Sequence, residues 1–192
     1  MRTKLTILVL GLLALVVAMA VNHRPFPSDH TAEGAYDRVA RSVAEDRVRD
    51  VFPYLETESQ WASFTIKDAR AKACARIRTS YPESERPPLL AAYGPLADAP
   101  DGADVFAMIA RQRGWIGRLR RDLSGVASVD TEGERASVVT ARGTRYPFRR
   151  RDNGMWGLTL FTADLVAESE RASRDLAVVN AAADDYDRAR GE

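Results

Sequence analysis

The chain has 192 residues, is 45% hydrophobic and 29% charged, and carries a formal charge of +1. That length fits one globular domain plus a targeting element, and the apolar content excludes a disordered chain. The single cysteine, Cys74, excludes an internal disulfide and any multi-cysteine metal site.

Arg2 and Lys4 precede residues 5–21, a run of 17 positions without a charge that ends in Ala18-Met19-Ala20. Basic residues, an apolar stretch and a small-x-small ending make an export signal, and the run is also just long enough to stay as a membrane anchor. Cleavage and retention are both open, and either places the remainder of the chain outside the cytoplasm. No cysteine lies near the end of the run, which excludes a lipid-anchored cysteine. Residues 22–33 then read as a linker, because Pro25 and Pro27 push their predecessors out of helical geometry. Both histidines, His23 and His30, sit there, so unless the linker folds back the domain offers none for a catalytic triad, a general base or a metal site.

Residues 34–161 form the expected α+β domain. A first helix, capped by Asp29 or Thr31, carries an apolar stripe of Tyr36, Val39, Val43, Val51 and Phe52 until Pro53 breaks it. Thr57 and Gln60 have the spacing of a capping box, and the next helix turns Trp61, Phe64, Ala69, Ala73 and Ile77 inward until Tyr81-Pro82. Five prolines between residues 82 and 102 indicate a long surface loop with at most a short helical turn over residues 89–93. Asp101 or Asp104 caps a third helix over residues 105–123, weakened in the middle by Gly114 and Gly117 on either side of Trp115.

The densest pattern covers residues 126–161. Three segments of strand character are cut by Glu132-Gly133, Arg142-Gly143 and Asp152-Asn153-Gly154, the chemistry of tight hairpin turns. Residues 144–151 alternate, with Tyr146, Phe148 and Arg150 on one face and Arg145, Pro147, Arg149 and Arg151 on the other. This predicts an antiparallel meander packed on one face, with an edge or a bulge at Pro147, which lacks a ladder donor. A last amphipathic helix, within residues 162–192, shows Leu165, Ser169, Ala172, Leu176, Val179, Ala183 and Tyr186 at alternating spacings of 4 and 3. Its seam is too long for a small sheet, so it packs on the other helices or pairs with a protein partner, including a second copy.

Charge is segregated along the chain. Five arginines and no acid lie between residues 111 and 121, and five more arginines lie between 142 and 152. Residues 29–58 and 162–192 each hold eight acids and four arginines. Two explanations fit: acidic flanks that neutralise the basic middle, or an anion-binding face for phospholipid headgroups, a polyanionic glycan or a carboxylate ligand, built from Arg118, Arg121, Arg145, Arg149 and Arg151. Although 25 of the 28 basic residues are arginine, genome composition explains that bias as readily as nucleic-acid binding does. The sequence carries no recognisable nucleic-acid module and no cofactor motif. Trp61, Tyr146, Phe148 and Trp156 are candidates for lining a ligand pocket, with core packing as the plain alternative. Tyr36, Tyr54, Asp122 and Asp130 lie near apolar segments, but no spacing singles out a catalytic pair. Cys74, between Ala73 and Ala75, is expected to be a small buried residue.

Two amphipathic helices, an irregular helical stretch and a meander closed by Phe148-Arg149-Arg150-Arg151-Asp152-Asn153-Gly154-Met155-Trp156-Gly157-Leu158 together resemble the cone-shaped NTF2-like superfamily. That resemblance implies a pocket between helices and curved sheet, used by some members as an isomerase or dehydratase site and by others for binding or assembly. The helix after Phe161 departs from the family's usual ending at a strand. The function expected is a non-enzymatic binding or assembly module of the cell envelope, exported or membrane-anchored. Its rival is a small-molecule enzyme using a Tyr/Asp pair. An open cavity with a buried carboxylate near a tyrosine would favour the enzyme, and a filled one the module.

Overall fold

The computed structural model describes residues 27–191, so the expected signal or anchor lies outside the described residues. Helix α1 spans Ala32–Ala44, with the Thr31 hydroxyl capping Gly34 N–H at 3.1 Å and burying Tyr36, Val39 and Val43. It stops short of the expected end near residue 52. Arg47 N–H donates to Ser42 C=O at 2.8 Å while Asp46 turns left-handed at φ 58°, a Schellman-type ending. The chain continues as a 3-10 helix, Val48–Tyr54, that accommodates Pro53 and buries Val48 and Val51. The apolar pattern runs on because both segments face one core, and periodicity alone does not show where one becomes the other.

Helix α2, Thr57–Ser80, is preceded by Glu56 as its cap residue, in place of the Thr57 box. Gln60 Nε2 donates to the carbonyls of Phe52 at 3.0 Å and Leu55 at 3.1 Å, tying the 3-10 turn to the helix. The buried stripe is Ser59, Ala62, Ser63, Ile66, Ala69, Arg70, Ala73 and Ile77, whereas Trp61 is 67% and Phe64 43% exposed. The inward assignment of those two aromatics is thus corrected. Small residues are inside because another helix packs closely there.

Helix α3, Arg86–Ala97, replaces the expected loop. Pro87 and Pro88 occupy its first turn, where backbone N–H groups have no helical partner to lose. Helix α4, Gly102–Gln112, is capped by Asp101, whose carboxylate accepts from Ala103 N–H at 2.8 Å and Asp104 N–H at 3.0 Å. Gly114, left-handed at φ 67°, then splits the expected third helix and starts α5, Trp115–Asp122. Burial raises the Asp101 carboxyl, but the Asp104 amide and side chain, Arg49 and the Ala103 amide outweigh it and hold the group below its ordinary 3.8. A depressed folded-state value stabilises the protein above the unfolded value, and that gain is lost as pH falls through the folded value. Asp101→Ala is therefore expected to cost about 1 kcal/mol at neutral pH and less in acid, once the carboxyl is protonated in the folded protein, as read from urea melts across that range.

Strands β1 (Val126–Glu132), β2 (Arg135–Thr140), β3 (Arg145–Arg150) and β4 (Trp156–Leu158) form an antiparallel meander in that order. Ala136, Val138, Tyr146, Phe148 and Leu158 are buried together, with α1 among the elements packed on the sheet. Pro147 lies in β3, which is flanked on both sides, contrary to the expected edge or bulge. Its carbonyl accepts from Thr159 N–H at 3.0 Å, so its missing donor also faces the β4 side, where that three-residue strand has ended. The other edge of β4 is covered by the chain before α2: Leu55 bridges Leu158 in parallel, and Glu56 N–H donates to Leu158 C=O at 3.1 Å.

Helix α6, Thr162–Gly191, runs parallel to α2. The order of their contacts shows the direction: Ser59 with Thr162 at 2.8 Å, Arg70 with Asp175 at 2.7 Å, and Ser80 with Asp187 at 2.9 Å. The expected seam is the contact surface, with Leu165, Ala172, Val179 and Ala183 buried. Beyond the main core, Ala73, Ile77, Tyr81, Val179 and Ala183 form a second cluster with Leu89, Leu90 and Tyr93 of α3. The distal halves of α2 and α6 thus make a three-helix arm with α3. Arg70 is 6% exposed, ion-paired to Asp175, and stacked 4.4 Å over Tyr93. Cys74 is buried, and burial pushes its thiol up. No helix among the described residues is long and apolar enough to cross a membrane.

Candidate functional site

Because Gly114 redirects the chain, α5 presents Trp115 and Leu119 to the core, and Arg118 and Asp122 line the same side of a cleft. β3 brings Arg145 and Tyr146 to that cleft, preceded by Thr144, while the turn into α6 brings Leu160, Phe161 and Asp164. The cleft measures about 310 Å³. Trp115 and Phe161 stack at 4.7 Å with an interplanar angle of 14° and make its apolar wall. Leu160 remains 43% exposed beside them.

Tyr146 is 2% exposed, and its hydroxyl is buried without a hydrogen-bond partner among the described residues. Its ring lies 5.1 Å from that of Tyr36, whose own hydroxyl is satisfied by Ser124 C=O at 2.8 Å. Burial, then Tyr36 and Asp122, push the Tyr146 hydroxyl up to about 12. At neutral pH it keeps its proton, so it can donate a hydrogen bond but cannot act as a base.

Most charges around the cleft are committed. Arg145 pairs with Asp130 at 3.4 Å, and Asp164 lies 3.6 Å from Arg113, which also holds Glu168 at 2.7 Å. Arg118 and Asp122, one turn apart, form no ion pair among the described residues. The acidic flanks do reach the basic middle elsewhere, through Arg113 to Asp164 and Glu168, Arg120 to Asp46, and Arg149 to Glu56.

Of the residues singled out from sequence, Tyr146, Arg118, Arg145 and Asp122 come together in the cleft. Arg149 and Arg151 do not join them: Arg149 binds the Glu56 carboxylate at 2.7 Å, and Arg151 donates to Pro53 C=O at 2.8 Å and to Thr57 and Gln60. Arg121 is exposed on α5 outside the cleft, its carbonyl accepting from Arg142. Phe148 is fully buried core, and Trp156 is buried with its indole N–H on His30 C=O at 3.1 Å. Trp61 stands on the surface of α2, 6.4 Å from Phe64.

Sequence reasoning missed Phe161 and Asp164 as partners of α5, since nothing local links them to a segment some 45 positions earlier. It also missed Glu56, whose 5%-exposed carboxylate joins Arg149 to the Thr162 hydroxyl at 2.8 Å. A scan against protein-family models matches no family, and searches of curated proteins and of solved structures also return no match.

Proposed function

We propose that the chain is a non-enzymatic binding or assembly module of the cell envelope, exported or held at the membrane by its apolar N-terminal run. The observation that carries this reading is the filled space between helices and sheet. Tyr36, Phe106, Phe148, Leu55 and Ile66 are fully buried there, where an NTF2-like catalytic pocket would otherwise open. Glu56, the buried acidic residue among the described residues, is bound by Arg149 and Thr162 and makes no hydrogen bond to a tyrosine hydroxyl among them. The enzyme reading retains a single support, the presence of Asp122 and Tyr146 in one cleft. Against it, the tyrosine holds its proton too tightly for a base and no hydrogen bond joins the pair. A reporter that folds only outside the cytoplasm, fused after residue 192, tests the location. Activity that disappears on deleting residues 1–26 is expected, and an inactive reporter on the full chain overturns the envelope assignment.

A further inference from the structure

We propose that the cleft between α5, β3 and the start of α6 binds a small carboxylate with an apolar body, held by Arg118 and Arg145 at the rim and by Tyr146 beneath. This rests on the binding-module reading and names its ligand class.

Three independent features converge on that chemistry. The first is Arg118, a guanidinium without an ion pair among the described residues, although Asp122 comes at the spacing where helical pairs usually form. A planar donor fork left uncommitted beside an apolar wall suits a carboxylate, which it can take bidentately. The second is the Tyr146 hydroxyl, screened from bulk water and lacking a partner among the described residues. Such a group is costly to leave unsatisfied, about 1–3 kcal/mol, and a ligand oxygen that displaces the side chains covering it would relieve that cost. Because the hydroxyl stays protonated far above neutral pH, it serves as a donor, which matches an anionic oxygen. The third is the exposed apolar surface of Leu160 next to the stacked Trp115 and Phe161, which core packing leaves uncovered.

The remaining charges narrow the class. Asp122 and Asp164 share the rim with the two arginines, so the charged side chains of the lining sum to zero and a monoanion is favoured over a phosphate dianion. An amine would meet two guanidinium groups and find Asp122 as its one unpaired acid in the lining, since Asp164 is already engaged by Arg113. A volume of about 310 Å³ lies at the small end of ligand pockets and suits an acid of about six to ten non-hydrogen atoms.

The test is calorimetry on the full chain in mild detergent, with hexanoate as probe and hexanol, hexylamine and inorganic phosphate as comparators. Hexanoate should bind with a Kd of about 0.1–1 mM, the range that a ligand of this size supports, and at least about tenfold tighter than each comparator. Arg118→Gln should weaken it about tenfold, Tyr146→Phe about threefold, and Arg111→Gln, on α4 outside the cleft, not at all. Arg118→Lys should recover part of the loss, which separates a charge contact from a folding defect. Equal binding of hexanoate and hexanol, or an unchanged affinity in Arg118→Gln, overturns the proposal. So does binding of a short peptide through its C-terminal carboxylate without binding of hexanoate, which would make the site a receptor for a protein terminus. If hexanoate fails while the reporter is active outside the cytoplasm, only the ligand class falls. Intact hexanoate binding with an inactive reporter removes the envelope location alone.

Discussion

Gly157→Ala is expected to lower the stability of the whole domain by about 3 kcal/mol or more, seen as a fall in melting temperature of roughly 6–12 °C for a domain of this size. A Cβ at this position would sit 2.7 Å from Glu56 Cα, 2.8 Å from Glu56 N and 2.9 Å from Leu55 O. All three are backbone atoms, so no rotamer change relieves the overlap. The strand edge would have to separate from residues 55–56, weakening the bond from Glu56 N–H to Leu158 C=O and moving the carboxylate that joins Arg149 to Thr162. A melt within about 2 °C of wild type would show that the junction can yield and that the close approach is not needed for stability. The neighbouring Thr159→Ala, which removes only a 3.3 Å side-chain bond to Pro147 C=O, should cost less than about 1 kcal/mol and controls for local disturbance.

The second large effect is expected from Leu176→Asp combined with Val179→Asp. Val179 is 4% exposed in the arm cluster, and Leu176 packs against both hydrophobic clusters. Placing two carboxylates there should destabilise the protein by about 4 kcal/mol or more, because a buried charge without a partner is among the costliest single changes. Loss should show as a lower melting temperature together with a smaller sedimentation coefficient as the arm opens. If both stay at wild-type values, α6 contributes nothing to the fold and its seam is a solvated face.

How much the sequence discloses depends on whether a signal is local. The meander was legible because hairpin turns and alternation are properties of neighbouring residues, and the buried set Tyr146, Phe148, Trp156 and Leu158 accords with that alternation. The α6 seam was legible for the same reason. The orientation of α2 was not, because apolar size favours Trp61 and Phe64 as inward residues. The structure instead turns in Ser59, Ala62 and Ser63 so that α6 can come close. The helix at Arg86–Ala97 was hidden by a proline count that ignored position, since two of those prolines stand in a first turn that tolerates them. In the cleft, three residues named from charge and aromaticity converge, yet only the fold shows which arginine both lacks an acid and lines the cleft. Arg118, Arg121 and Arg149 look alike in sequence, and their surroundings come from segments far along the chain.

The parallel course of α2 and α6 also sets an order of events during folding. Their side-chain bonds join residues 103, 105 and 107 positions apart, so closing them from the unfolded chain carries a large loop entropy. Once Leu55 and Glu56 lie against Leu158, the first turns of both helices start side by side and the rest meets at high effective concentration. The arm is therefore expected to zip outward from Ser59 and Thr162, with its tip, at Ser80 and Asp187, the last part to close and the first whose amides exchange with solvent in a hydrogen-exchange time course.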